Sequence, residues 1–485
     1  MRIDRRLRGF VAASILLCLP STAFARYGYP YYGSLRIPHY HPPHHRTLTP
    51  EEMLFAAIYR KDYNTVYNLL MRGVNASSVD HEGETALIAA VSVDSQSIVS
   101  ALLADRADPN AHNRRGYTAL IMAAGMKHAD LVPTLLIRAA KIDDIDHEGK
   151  TALITAAEYG DAATVEALLK GKPNVDVADH KGDTALIFAC GRGHADIPAL
   201  LTAQNAAVNK ADKAGYTPLM MASWSRDKST VDALIGAKAD VNAASKEGMT
   251  PLLMALTPGR DEHNATVRIP PRADIVSALL ADGANVLAKD SLGNTTLMTE
   301  AQTGDANLAE MLLDKGVYVG DEDHDRYDAL MIAAKSGSVP LVKLLLARGA
   351  RVHHVNKLGQ SALTMAVDGG SVPIAQMLID RKADVHLVDN QGNTLLIDAA
   401  QYDRPDMVSF MIGQGIDINA ANHSGVTALI MASMSSSVSV IKLLQSKGAD
   451  ETLHDNTGMT AGMWADKMQL PADIRLSGRH HPVTG

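Results

Sequence analysis

The four residues Thr-Ala-Leu-Ile recur unchanged at Thr85–Ile88, Thr118–Ile121, Thr151–Ile154, Thr184–Ile187 and Thr427–Ile430. Divergent copies begin at Thr217, Thr250, Thr295, Asp328, Ser361, Thr394 and Thr460. Every interval is 33 residues except the 45 between Thr250 and Thr295. A fixed period of this length describes one supersecondary unit stacked many times, because a single copy cannot bury its own apolar face. This excludes most folds before any functional residue is considered.

The first position of the mark is always Thr, Ser or Asp, whose side-chain oxygen can accept from a free N–H at a helix start, so each copy predicts a helix N-cap. Pro218 and Pro251 follow two of these caps, at a first helical position where no N–H partner is lost. Two residues before the cap stands Gly in eleven of twelve copies, as a turn with positive φ requires, and Arg326 breaks the series. After each cap the pattern predicts a short apolar helix, a polar turn and a second helix with paired leucines, as at Leu102-Leu103 and Leu344-Leu345.

These residues resemble the ankyrin repeat, whose cap motif is Thr-Pro-Leu-His and whose second helix ends in a turn similar to Lys238-Ala239-Asp240-Val241-Asn242. The resemblance extends over about residues 50 to 475. It implies an all-α solenoid of stacked helical hairpins with β-turn fingers. The family's His is replaced here by residues such as Ile88, Met220, Leu253 and Thr364, so apolar packing is expected in place of its hydrogen bonds. The organisation expected is a capping repeat over 49–84, opened by the capping box Thr49-Pro50-Glu51-Glu52, then repeats over 85–455 with an insert at 257–272. A partial repeat and tail at 456–485 caps the other end. Tyr59, Tyr63 and Tyr67, at helical spacing, are expected to pack that first cap.

Upstream, Arg2, Arg5, Arg6 and Arg8 precede an apolar run from Gly9 to Leu19 and the motif Ala23-Phe24-Ala25, which reads as a signal peptide over 1–25 with Arg26 as the first mature residue. The expected location is periplasmic or secreted. The run is too short to span a bilayer, and no other stretch reaches the roughly 20 residues required, so no membrane span is expected. Residues 26–48 form a Tyr-, His- and Pro-rich tether. Its His39, His41, His44 and His45 offer imidazoles for a divalent ion, so a metal-handling accessory role for the tail is the alternative to a purely scaffolding one.

The chain carries a net charge of −8, and loss of residues 1–25 leaves 42 basic against 53 acidic residues. No basic face suited to phosphates is visible, which argues against nucleic acid. Cys190 is the one cysteine outside the leader, sits among small apolar residues of a first helix, and reads as packing. The run Asp321-Glu322-Asp323-His324-Asp325-Arg326 starts like a calcium loop, but Arg326 stands where that loop needs Gly and Ile332 where it needs Glu. No nucleophile, metal-protease or dinucleotide motif appears, and repeats place polar residues one per layer, about 8–10 Å apart, too far for a catalytic triad. No enzyme activity and no cofactor are expected.

The resemblance implies protein binding through finger tips and the ends of first helices, by a monomer. Carried over residue by residue, the implied contacts are His81, Glu82 and Glu84, then Arg114, Arg115 and Tyr117, then His147, Glu148 and Lys150. They continue with His180, Lys181 and Asp183, with Lys213 and Tyr216, with Trp224, Lys246 and Met249, and with Tyr327 and Met434. Interface centres favour aromatic residues and Met, which singles out Tyr117, Tyr216, Trp224, Met249 and Tyr327 as expected anchors.

Overall fold

The computed structural model describes residues 48–258, 273–471, 474, 476 and 477. The leader, almost all of the tether and most of the insert lie outside them. Its contacts divide the described chain into two compact blocks, one of residues 48–255 and 274–284, the other of 256–258, 273 and 285 onward. Within each block the fold is an all-α ankyrin solenoid. Helices pair in order, as in Ala86–Ser92 with Gln96–Ala104 in the first block and Ala362–Gly369 with Val372–Asp380 in the second. First helices pack on first helices of the next repeat, and second helices on second helices.

The caps form as the sequence dictates. Thr85, Thr118, Thr151, Thr184 and Thr427 each accept a hydrogen bond at Oγ1 from the N–H three residues on, at 3.1 to 3.3 Å. Asp328 does the same through Oδ1 to Met331 N at 2.9 Å. At the start, Glu52 N donates to Thr49 Oγ1 and Thr49 N to Glu52 Oε2, closing the capping box. Ala, Leu and Ile of the mark are then drawn into the core: Ile88, Met220 and Leu253 have at most 1% of their surface exposed. Apolar burial worth roughly 1.5–3 kcal/mol per side chain thus occupies the place of the family's His.

Each finger is held by an acceptor that the sequence reading passed over. Five residues before the cap stands Asp or Asn, and its Oδ1 accepts from the N–H groups two and four residues on. Asp212 takes Ala214 N and Tyr216 N, both at 2.8 Å, and Asp323 takes Asp325 N at 2.9 Å and Tyr327 N at 2.8 Å. Ser245 fills the same place with its hydroxyl. Isolated antiparallel bridges such as Ile145 with Thr151 and Val355 with Ser361 close the fingers. Consecutive fingers are then joined: His180 N donates to Glu148 O, Lys213 N to Lys181 O and Lys246 N to Ala214 O, each at 2.9 Å. At the other end of the hairpin a second series of carboxamides and carboxylates links repeats, with Lys141 N on Asn110 Oδ1 at 2.7 Å and Asp240 N on Asn209 Oδ1 at 2.7 Å.

Arg326 adopts the left-handed conformation of the glycines in the same position, with φ of 63°. The acidic run around it is stitched rather than left to repel. Lys289 lies 3.1 Å from Asp321, Lys357 lies 3.4 Å from Asp325, and Glu322 faces Arg326 at 3.8 Å, Arg351 at 3.7 Å and His354 at 3.1 Å. At the first cap, Tyr63 and Tyr67 do not pack inward as expected. They are exposed and stack on one another at 6.0 Å, because Val66, Leu69 and Leu70 take the buried face of their helix.

Candidate protein-binding surface

The tips of the fingers in the first block present Arg114, Arg115, His147, His180, Lys181, Lys213 and Lys246 to solvent. Their backbone is fixed by the Asp, Asn or Ser245 acceptors and the bonds between fingers, so the row is preorganised. Two members also tie their charge to the preceding finger: Arg114 donates to His81 O at 3.0 Å and Lys213 Nζ to His180 O at 2.8 Å. Glu82 and Glu148 are exposed at the same tips, but Arg114, Arg115, Lys181, Lys213 and Lys246 outnumber them in a protein whose net charge is −8.

Three of the expected anchors belong to the stack instead. Tyr216 is 1% exposed, Met249 3% and Tyr327 7%, so none offers a side chain to a partner. The reason is their position one residue before the cap, where the side chain turns from the tip toward the neighbouring repeat. The Tyr216 hydroxyl donates to Glu247 Oε2 of the next finger at 3.0 Å, and burial, followed by the Glu247 charge, raises its pKa well above the usual phenol value. Asp183 is buried at the same position. Glu84, also there, takes both of its hydrogen bonds from Asn113 Nδ2 at 3.0 Å. Tyr117 and Trp224 are half-buried, and so is Met434 at the end of its first helix. Trp224 lies on helix Pro218–Ser225, next to the left-handed Arg226 with φ of 65°.

Lys150 shares the position before the cap but is turned to the helix ends. Its Nζ lies 2.7 Å from Glu158 Oε2 and 3.1 Å from Glu148 Oε2, while Arg192 approaches the other Glu158 oxygen at 3.2 Å. His194 Nε2 contacts the Glu158 carbonyl at 3.1 Å, and the Lys150 ammonium stands 5.2 Å from the centre of the Phe188 ring. Burial works against the Lys150 charge, yet the two glutamates outweigh it and hold its pKa above the usual lysine value. This cluster bridges repeats four and five. Neither Glu158 nor Arg192 was singled out from sequence, since their partners lie 8 and 34 residues away.

Cys190 is 1% exposed, and burial raises its thiol pKa far above the ordinary range, which makes it a packing residue. The histidines His39, His41, His44 and His45 lie outside the described residues, as does most of the 257–272 insert. No helix among the described residues is long and apolar enough to cross a membrane.

A comparison with curated proteins returns no match. The family model described as ankyrin repeats (3 copies) matches residues 53–146, 96–179, 135–212, 153–245, 219–323, 263–356 and 330–422. These matches overlap from 53 to 422 and cover well over half of the chain, so the protein belongs to the ankyrin-repeat family.

Proposed function

We propose that this chain is an exported scaffold that binds a partner protein through the finger tips of its first block. Ankyrin repeats support a protein-interaction role. The carrying observation is the row of exposed basic tips on a backbone already fixed by hydrogen bonds. Such a row attracts a partner with acidic side chains, and the half-buried Tyr117 and Trp224 supply the remaining apolar contact. Charge of this kind acts mainly on the association rate and is weakened by salt. Export rests on the leader at residues 1–25, and places the binding event in the periplasm or outside the cell.

The test is crosslinked capture from the compartment in which the chain resides, with wild type and the triple variant Arg115→Glu, Lys181→Glu, Lys246→Glu. Capture by wild type and at least tenfold weaker capture by the variant at low salt is the expected result. Undiminished capture by a folded variant would move the interface elsewhere. N-terminal sequencing of exported protein should begin at Arg26, and a start upstream would remove the export half of the reading.

A further inference from the structure

The cluster in repeats four and five has a counterpart in the second block in which the places of the Lys150 and Arg192 cations hold Gln360 and Tyr402. Counting from the caps Thr151 and Thr184, Lys150 stands one before, Glu158 seven after, and Phe188, Arg192 and His194 four, eight and ten after. Counting from Ser361 and Thr394, the same places hold Gln360, Asp368, Asp398, Tyr402 and Arg404. The correspondence is geometric as well as numerical. His194 contacts the Glu158 carbonyl at 3.1 Å, and Arg404 contacts the Asp368 carbonyl at 3.5 Å.

What differs is the charge at the centre. In the first block the Lys150 ammonium fills the space between Glu158 and Phe188. In the second, Gln360 is turned away, accepting from Asn356 Nδ2 at 3.1 Å, and carboxylates stand at the places of both Glu158 and Phe188, with the Asp368 charge acting on Asp398. Asp398 is 6% exposed and Asp368 9%, and neither carboxylate has a hydrogen bond or ion pair among the described residues. Two buried carboxylates without donors are costly when ionised, and either a proton or a cation relieves that cost.

We propose that the surface of repeats ten and eleven between Gln360, Asp368 and Asp398 is a receptor for a Lys or Arg side chain of a partner protein. The partner supplies in trans the ammonium that Lys150 supplies internally to Glu158. Burial is the leading cause that holds Asp368 up to about 6 and raises Asp398 well above the usual carboxylate range, and Asp368 and Asp389 add to the latter. The other groups facing the pair are Lys335 and Arg404, which favour the Asp368 charge, and the phenols of Tyr402 and Tyr327. Neither Lys335 nor Arg404 forms an ion pair with Asp368, and Arg404 is spent on a carbonyl. A cation binds the ionised carboxylates, so its affinity should fall as pH drops through about 6.

The proposal rests on the protein-binding reading, and its test separates the two. Hexalysine peptide is titrated into the full chain by calorimetry, with wild type, the double variant Asp368→Asn with Asp398→Asn, and Gln360→Lys. A charge-matched control, Asp105→Asn with Asp130→Asn, removes two exposed acids from the first block. Hexalysine should bind wild type and the control alike, and the double variant at least tenfold more weakly. Gln360→Lys should block the peptide and raise the melting temperature, since it restores the internal ammonium. Equal binding by all four proteins, absence of binding to wild type, or a Gln360→Lys protein with unchanged melting temperature and peptide affinity would overturn the proposal. If a crosslinked partner is captured equally by wild type and the double variant, the scaffold reading stands and this receptor falls. If hexalysine binding follows Asp368 and Asp398 but no protein is captured, the cation site stands, and its assignment to a partner protein falls with the scaffold reading.

Discussion

The backbone nitrogen of Lys213 stands 2.6 Å from the point where a side chain on Gly182 would begin. That nitrogen is also the donor that joins its finger to Lys181 O at 2.9 Å, so it cannot retreat without breaking the link between repeats. Gly316 has a similar φ, 95° against 91°, but open space around it. Gly316→Ala should therefore cost only the left-handed penalty of about 1–2 kcal/mol, and Gly182→Ala at least about 1 kcal/mol more. Urea denaturation of the two variants measures the difference, and equal losses would show that finger contact carries no constraint.

Arg326 offers the inverse experiment. It holds φ of 63° with a side chain in a position that is glycine in eleven other repeats, and its contact to Glu322 is long, at 3.8 Å, with Arg351 and His354 also on that carboxylate. Arg326→Gly should stabilise the protein by about 0.5–1 kcal/mol. A loss of stability would mean that the Arg326 charge matters more than its backbone.

Glu300 is fully buried on the first helix of repeat eight. Its Oε1 accepts from Thr303 Oγ1 and from Asp305 N at 3.1 Å, and its Oε2 is sealed without a hydrogen-bond partner among the described residues. Burial holds its pKa up to about 8, with Asp305 adding to the effect. The folded state thus keeps a proton that the unfolded chain releases near 4.5, so stability falls as pH rises from about 4.5 to about 8. Glu300→Gln should match wild type near pH 5 and exceed it by up to a few kcal/mol at pH 8. Thermal melts across this range decide it, and a constant gap between the two proteins would place the proton elsewhere.

Glu158 joins two cations that are themselves mostly buried, with side-chain exposures of 16% for Lys150 and 12% for Arg192. Glu158→Gln should cost about 1–3 kcal/mol, and high salt should recover little of it, because water and ions reach the cluster poorly. Denaturant midpoints at low and high salt provide the comparison.

The parts of the fold that were legible in the sequence are local ones. The cap at Thr151 depends on Ile154 N three residues away, and the turn at Gly182 on the residue's own φ, so a period and a residue type suffice to predict both. The tips Arg114, Lys181 and Lys246 came from the resemblance to the ankyrin repeat, carried over at that period, and they are exposed. Tyr216 and Met249 were misplaced because one residue separates a tip from a packed position, and the direction of that side chain depends on the next finger, Glu247 in the case of Tyr216. The Lys150, Glu158 and Arg192 cluster was missed for a related reason. Each residue alone resembles a solvated charge, and only the stacking of repeat five on repeat four brings Arg192 within 3.2 Å of Glu158.

The acceptor five residues before each cap divides labour within the finger. Asp179 secures Lys181 N and Asp183 N through a single oxygen, so the Lys181 side chain takes no part in holding its own turn. The same separation holds at Asp212, Asn356 and Asn422, whose neighbours at the tip differ in size and charge. Mutations at these tips can therefore accumulate without unfolding the protein, and a lineage carrying this chain is free to change what it recognises one finger at a time.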